Sequence, residues 1–175
     1  MILRIVIVLL VVGALYISYV NEIFSNGIEQ QILAATTNDS YPFIPNRIAL
    51  MYLEHGPEER MEGETPSIPF TVAGCGLSKS FISCEKIKNV VSILHSRGED
   101  IEEYHDGMTA LHAAILFKEK VMVLHLLELG ANTEAKVKEQ SKKYAGMTAI
   151  QLAEYQVDKG GEVELEIAAI LKNLQ

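Results

Sequence analysis

Five histidines and two cysteines, beside 23 acidic side chains mostly at expected loop and surface positions, are the residues of this sequence that could ligate a metal or activate a nucleophile. Their spacing suits neither task. No H-E-x-x-H, G-x-S-x-G or G-x-x-x-x-G-K-[S/T] string occurs, and no Cys/His spacing fits tetrahedral zinc. The expectation is a chain with no catalytic residue, no metal, no cofactor and no small-molecule substrate. Cys75 and Cys84 lie nine positions apart, and two states are open to them. One is a disulfide formed in an oxidising compartment, worth roughly 2 to 3 kcal/mol by loop closure; the other is a pair of buried thiols. What remains is the chemistry of recognition. Glu99, Asp100, Glu102, Glu103, Tyr104, His105 and Asp106 form an acidic cluster, and Lys136, Lys138, Lys142, Lys143 and Tyr144 a basic one. Such clusters either hold neighbouring loops together and keep a domain soluble, or meet a partner of complementary potential. Tyr104 and Tyr144 suit the second role, because interface hot spots are enriched in tyrosine.

Composition narrows the frame that must present these clusters. The 175 residues are 49% hydrophobic and 22% charged, with a formal net charge of −8, as expected of about one globular domain. Fifteen basic against 23 acidic side chains lack the basic footprint that nucleic acid requires. Mean hydropathy is nonetheless +0.16, and the excess is local: Ile5 to Val20 carries no charge. As a helix, residues 2–20 would span about 28 Å at about 1.5 Å each, near the roughly 30 Å hydrocarbon thickness of a bilayer. Arg4 can snorkel to one interface, while Tyr16 and Tyr19 mark the other. Arg4 precedes the run and Glu22 follows it, which places the N-terminus inside and the remainder outside. Residues 1–20 therefore read as a transmembrane signal anchor. Two other readings stay open: a signal peptide cleaved near Ala14, at the small residues Val12-Gly13-Ala14, and a buried core helix.

An internal repeat organises the rest. Residues 106–136 read DGMTALHAAILFKEKVMVLHLLELGANTEAK, and Gly146 restarts with GMTAIQLAEYQ before the chain closes on EIAAILKNL. Gly107/Gly146, Met108/Met147, Thr109/Thr148, Ala110/Ala149 and Ala114/Ala153 match. Leu111, Ala114 and Ile115 recur at helical spacing, and Val121, Leu124, Leu127 and Leu129 supply the apolar face of a following helix. Gly130 can close that helix in the left-handed conformation, and Thr109 and Thr148 stand where N-caps belong.

Gly107-Met108-Thr109-Ala110-Leu111-His112-Ala113-Ala114, the segment Val121 to Leu127, and Gly130-Ala131-Asn132 together resemble an ankyrin repeat. Residues 146–172 resemble a further one, while 89–100 and 47–56 look like second helices of earlier units. Gly98 to Gly130 is 32 positions, close to the family period of about 33. The resemblance implies an all-α solenoid of about three to four helix-turn-helix units with short finger loops, preceded by one transmembrane helix. Residues 21–45 would form a linker and N-terminal capping helix, and 46–175 the repeat domain. Insertions are expected near 57–80, where Pro69, Gly74 and Gly76 should interrupt a helix, and near 136–145. The family pattern gives His112 a structural task, holding its turn by hydrogen bonds; where that pattern has proline after the threonine, this sequence departs from it with Ala110 and Ala149.

The family's role is binding another protein. The resulting expectation is a single-pass inner-membrane protein, its N-terminus cytoplasmic and its ankyrin domain periplasmic, or a secreted periplasmic form if the leader is cleaved. It would bind and restrain one specific partner. Its layout is similar to that of bacterial immunity proteins that occlude a secreted antibacterial toxin. A scaffold or adaptor in a membrane complex, or an accessory factor in periplasmic stress defence, are the alternatives.

Overall fold

The computed structural model describes residues 2–25, 27–37, 43–55, 67–76 and 83–174. The apolar N-terminal run, free of proline, forms α1 (Ile2–Phe24), the one described helix long and apolar enough to cross a membrane. Val8, Leu10 and Leu15 stand more than half exposed. Further along, Tyr16, Val20, Ile23 and Phe24 turn inward. These positions recur at three- and four-residue spacing, so they form one stripe down the last turns of the helix. Phe24 packs edge-on against Tyr52, with ring centroids 4.9 Å apart. The Tyr52 hydroxyl donates to Asn21 Oδ1, and the Tyr16 hydroxyl donates to the Phe43 carbonyl at 3.3 Å. The C-terminal part of α1 thus belongs to the core.

Eight further helices follow among the described residues, with no strand: α2 (Ile28–Thr36), α3 (Asn46–His55), α4 (Ser67–Ala73), α5 (Cys84–Ser96), α6 (Ala110–Leu116), α7 (Lys120–Glu128), α8 (Ala149–Val157) and α9 (Glu162–Lys172). Consecutive helices pack as four pairs, α2/α3, α4/α5, α6/α7 and α8/α9. The first members lie side by side in one layer and the second members in another. Buried side chains run without a break from Val20 to Leu171, so each pair completes the apolar face of its neighbour.

Small residues at the pair contacts explain the close approach of the first layer: Ala110, Ala113 and Ala114 of α6, and Ala149 and Ala153 of α8, are buried. Both helices start on a threonine capping box, Thr109 with His112 and Thr148 with Gln151. Such a box satisfies backbone N–H groups that the first turn leaves open. Helices α5 and α7 end alike. Gly98 (φ 89) and Gly130 (φ 92) take left-handed backbone; the next residue's N–H, of Glu99 or Ala131, returns to the carbonyl of Leu94 or Leu126. That is the closure a Cβ-free residue favours. Lys118 (φ 60) fills the same place after α6.

The structure corrects two expectations. Helix α7 buries Met122, Val123 and Leu126, while Val121 and Leu124 stand exposed, because a helix apolar nearly all round lets its neighbours decide which stripe is covered. Pro69 does not interrupt a helix: it is buried within the first turn of α4, which continues to Ala73 before Gly74–Gly76 tighten into a 3-10 turn. The first-turn N–H groups have no intrahelical acceptor, so a proline there forfeits nothing. Residues 57–66 and 77–80 of the expected insertion lie outside the described residues. Cys75 and Cys84 stand as thiols at the two ends of the α4–α5 connection, with Cys84 Sγ 4.0 Å from the Cys75 carbonyl oxygen.

Candidate functional site

Two loops project from the same edge of the stack: residues 97–109, between α5 and α6, and 129–148, between α7 and α8. Each opens on its glycine and then an Asx turn, Asp100 accepting from the Glu102 N–H and Asn132 from the Glu134 N–H, both at 2.9 Å. The first loop closes tightly. His105 and Met108 exchange backbone hydrogen bonds around Asp106 (φ 50) and Gly107 (φ 80), the two-residue geometry that demands positive φ at both central positions. The second makes the equivalent closure with Val137 against Gly146 and Met147. Between these it accommodates extra residues, including a 3-10 turn at Glu139–Ser141.

The loops lie against one another. The Tyr104 hydroxyl donates to the Lys136 carbonyl at 3.2 Å, and the Lys138 ammonium sits 3.7 Å above the Tyr104 ring. Glu102 Oε1 accepts the Asn132 N–H at 2.7 Å. The Lys138 N–H donates to the Gly107 carbonyl at 2.8 Å, and the Ser141 hydroxyl to the Asp106 carbonyl. Beneath them His112 ties both loops to α6: its Nδ1 lies 3.2 Å from the Thr109 N–H nitrogen and its Nε2 3.1 Å from the Ala135 carbonyl oxygen. Burial lowers the His112 pKa from 6.5 to about 4, so the ring is neutral near pH 7, accepting at Nδ1 and donating at Nε2.

Of the acidic and basic residues singled out in the sequence, Glu102, Tyr104 and Lys138 are therefore engaged in holding the loops together. His105 turns its ring toward Phe70, 6.0 Å away. Asp100, Asp106, Lys136, Lys142 and Lys143 are exposed. Tyr144 is half-buried, edge-on to Tyr155 at 5.8 Å, with Lys143 over its face. Ser141 takes part without having been singled out; a serine at the end of a 3-10 turn carries no distinctive sequence signal. The outcome is a ridge with carboxylates on one loop and, on the next, four ammonium groups interspersed with the Glu134 and Glu139 carboxylates, its base locked by hydrogen bonds.

One side-chain chain elsewhere looks catalytic at first. Ser92 Oγ is 2.9 Å from His125 Nε2, and His125 Nδ1 is 3.7 Å from Glu128 Oε2. The Ser92 hydroxyl, however, donates to the Lys88 carbonyl one turn back at 3.1 Å. Its oxygen can then only accept from the imidazole, the reverse of the transfer a general base performs. Burial, with the nearby Lys88 charge, lowers the His125 pKa. The pair bridges α5 and α7, helices of adjacent units. No cluster of three or more potential metal-ligating side chains occurs among the described residues.

Among the described residues, fold and site together define an all-helical stack of four pairs that offers a charged double loop and carries an N-terminal helix whose first turns are apolar and exposed. No family model, no curated protein and no solved structure matches the chain.

Proposed function

We propose that the chain is an ankyrin-repeat protein, tethered to the membrane by α1, that binds and restrains one specific partner protein through the paired loops. The repeated construction supports the ankyrin reading: four helix pairs stacked like with like, with threonine caps, glycine closures and Asx turns recurring at corresponding positions. The observation that carries the binding role is the locked ridge. A partner meeting it finds the loop backbones and the Asp100 carboxylate already positioned, so little loop entropy is lost on association, and the alternating sign selects by complementarity. The same reading makes the protein a binder without enzymatic activity of its own. Its site is periplasmic, with the N-terminus of α1 cytoplasmic.

Neutralisation of a secreted toxin is the role that this layout suits. A small rigid domain held beside the membrane can occlude an incoming effector. Co-purification of the full chain with the product of the adjacent gene, together with sensitisation of cells that lack the chain, is the expected result. Absence of both would refute the immunity role. The exposed apolar side chains along the first turns of α1, Val8 and Leu10 among them, favour a second reading, a scaffold that uses the helix itself. Exchange of residues 1–14 for an unrelated apolar helix separates them, because an inhibitor survives the exchange and such a scaffold does not.

A further inference from the structure

Phe43 is 85% exposed, the most exposed of the large apolar side chains among the described residues, and it is held at φ 65. In water an aromatic ring gains nothing from that position, and a bulky residue at positive φ is uncommon. Its place relative to α1 gives it a use. The Phe43 carbonyl accepts the Tyr16 hydroxyl, and helical side chains tilt toward the N-terminus of their helix. Phe43 is therefore level with Tyr16 or nearer the apolar end of α1. Further along both segments, Asn21 and Phe24 meet Tyr52. Helix α3 thus runs in the same direction as α1, and the turn before α3 is the end of the domain that faces the exposed apolar stretch.

From this we infer that Phe43 is a second membrane contact, its ring seated in the lipid interface beside Tyr16, with the exposed Arg47 one turn of α3 further out at headgroup depth. The inference rests on the reading of α1 as a membrane anchor. Its ligand is the lipid surface itself, and the attraction is apolar: with a net charge of −8 the chain draws no general electrostatic pull toward anionic lipid. Two points of contact, α1 and Phe43, fix rotation about the helix axis as well as height. Because the paired loops leave the opposite ends of the helices, they point away from the bilayer, where a soluble partner can reach them.

The chain contains no tryptophan, so a single introduced one reports depth without background. Full-length Phe43→Trp, Leu10→Trp and Tyr144→Trp are each reconstituted in phosphatidylcholine vesicles with and without brominated lipid, one set labelled near the headgroup end of the acyl chains, at the depth of Phe43, and one near the methyl end, at the depth of Leu10. Blue-shifted emission that brominated lipid quenches for Leu10→Trp and Phe43→Trp, with solvent-like unquenched emission for Tyr144→Trp, is the expected result. Quenching at Leu10 but not at Phe43 overturns the Phe43 contact and leaves the anchor standing. Lack of quenching at Leu10 overturns both. Quenching at Tyr144 overturns the orientation.

Discussion

His112 concentrates the demands of the fold on one imidazole: it closes the capping box of α6, reaches the next loop through the Ala135 carbonyl, and stays neutral in full burial. Unfolded, it would take a proton near 6.5; folded, it does so only at about 4. Between those values the unfolded state binds more protons, so stability falls as pH drops through the window, by about 3 kcal/mol once below it. The Lys118 ammonium beside Glu164 holds that carboxyl below its ordinary range, so its contribution is present above that range and is lost as pH falls through the depressed value. Urea melts of the wild type between pH 7 and 4 should show the His112 loss. In His112→Gln, which copies the Gln151 of the next unit's capping box, the slope over that window should become shallower, what remains including the loss from His125, whose pKa burial and Lys88 also lower. Glycine positions give a paired test. Gly130 (φ 92) has open space around it, so Gly130→Ala should cost only the left-handed penalty of about 1 to 2 kcal/mol. At Gly107 (φ 80) a Cβ would sit 3.2 Å from the Lys138 carbonyl oxygen and the Ser141 nitrogen. Gly107→Ala should cost more than Gly130→Ala in the same melts, because the neighbouring loop must also shift.

Helices show which parts of the architecture were written in the sequence. The spacing of Leu111, Ala114 and Ile115, the threonine caps and Gly98 and Gly130 follow from local rules, and α6 to α9 form where those rules put them. Two features depend on tertiary placement instead. Pro69 reads as a breaker unless the helix start is known, since its consequence changes within a single turn of chain. The last turns of α1 read as bilayer-facing because hydrophobicity does not distinguish lipid from a protein core; the stripe of Tyr16, Val20 and Phe24 emerges only against α2 and α3. Val20 and Phe24 are 3% and 5% exposed, and burying side chains of this size is worth about 1.5 to 3 kcal/mol each. A chain starting at residue 15 should therefore melt cooperatively, and one starting at residue 25 should lose several kcal/mol of stability or fail to fold. The same observation bears on processing: cleavage near Ala14 would leave all four inward-facing residues of the stripe in place.

At the scale of the whole molecule, the two charged clusters visible in the sequence become neighbouring loops with unequal duties. Type and spacing could mark the residues, but could not divide those spent on holding the loops, Glu102, Tyr104 and Lys138, from those left exposed. That division depends on Asn132, Lys136 and Gly107 backbone groups supplied from across the interface. Charge-guided association through the exposed set should slow with ionic strength, because charges more than about 8 to 10 Å apart are screened at physiological salt. Reversal of Lys142 and Lys143 to glutamate should reduce the association rate with little change in melting temperature. The central claim, that the paired loops bind one protein, is tested most directly by site-specific photo-crosslinking in cells that produce the chain. A crosslinking residue at Lys142 should capture a single protein, and one at Leu124 on the outer layer should not. No adduct at Lys142, or the same adducts from both positions, would contradict it.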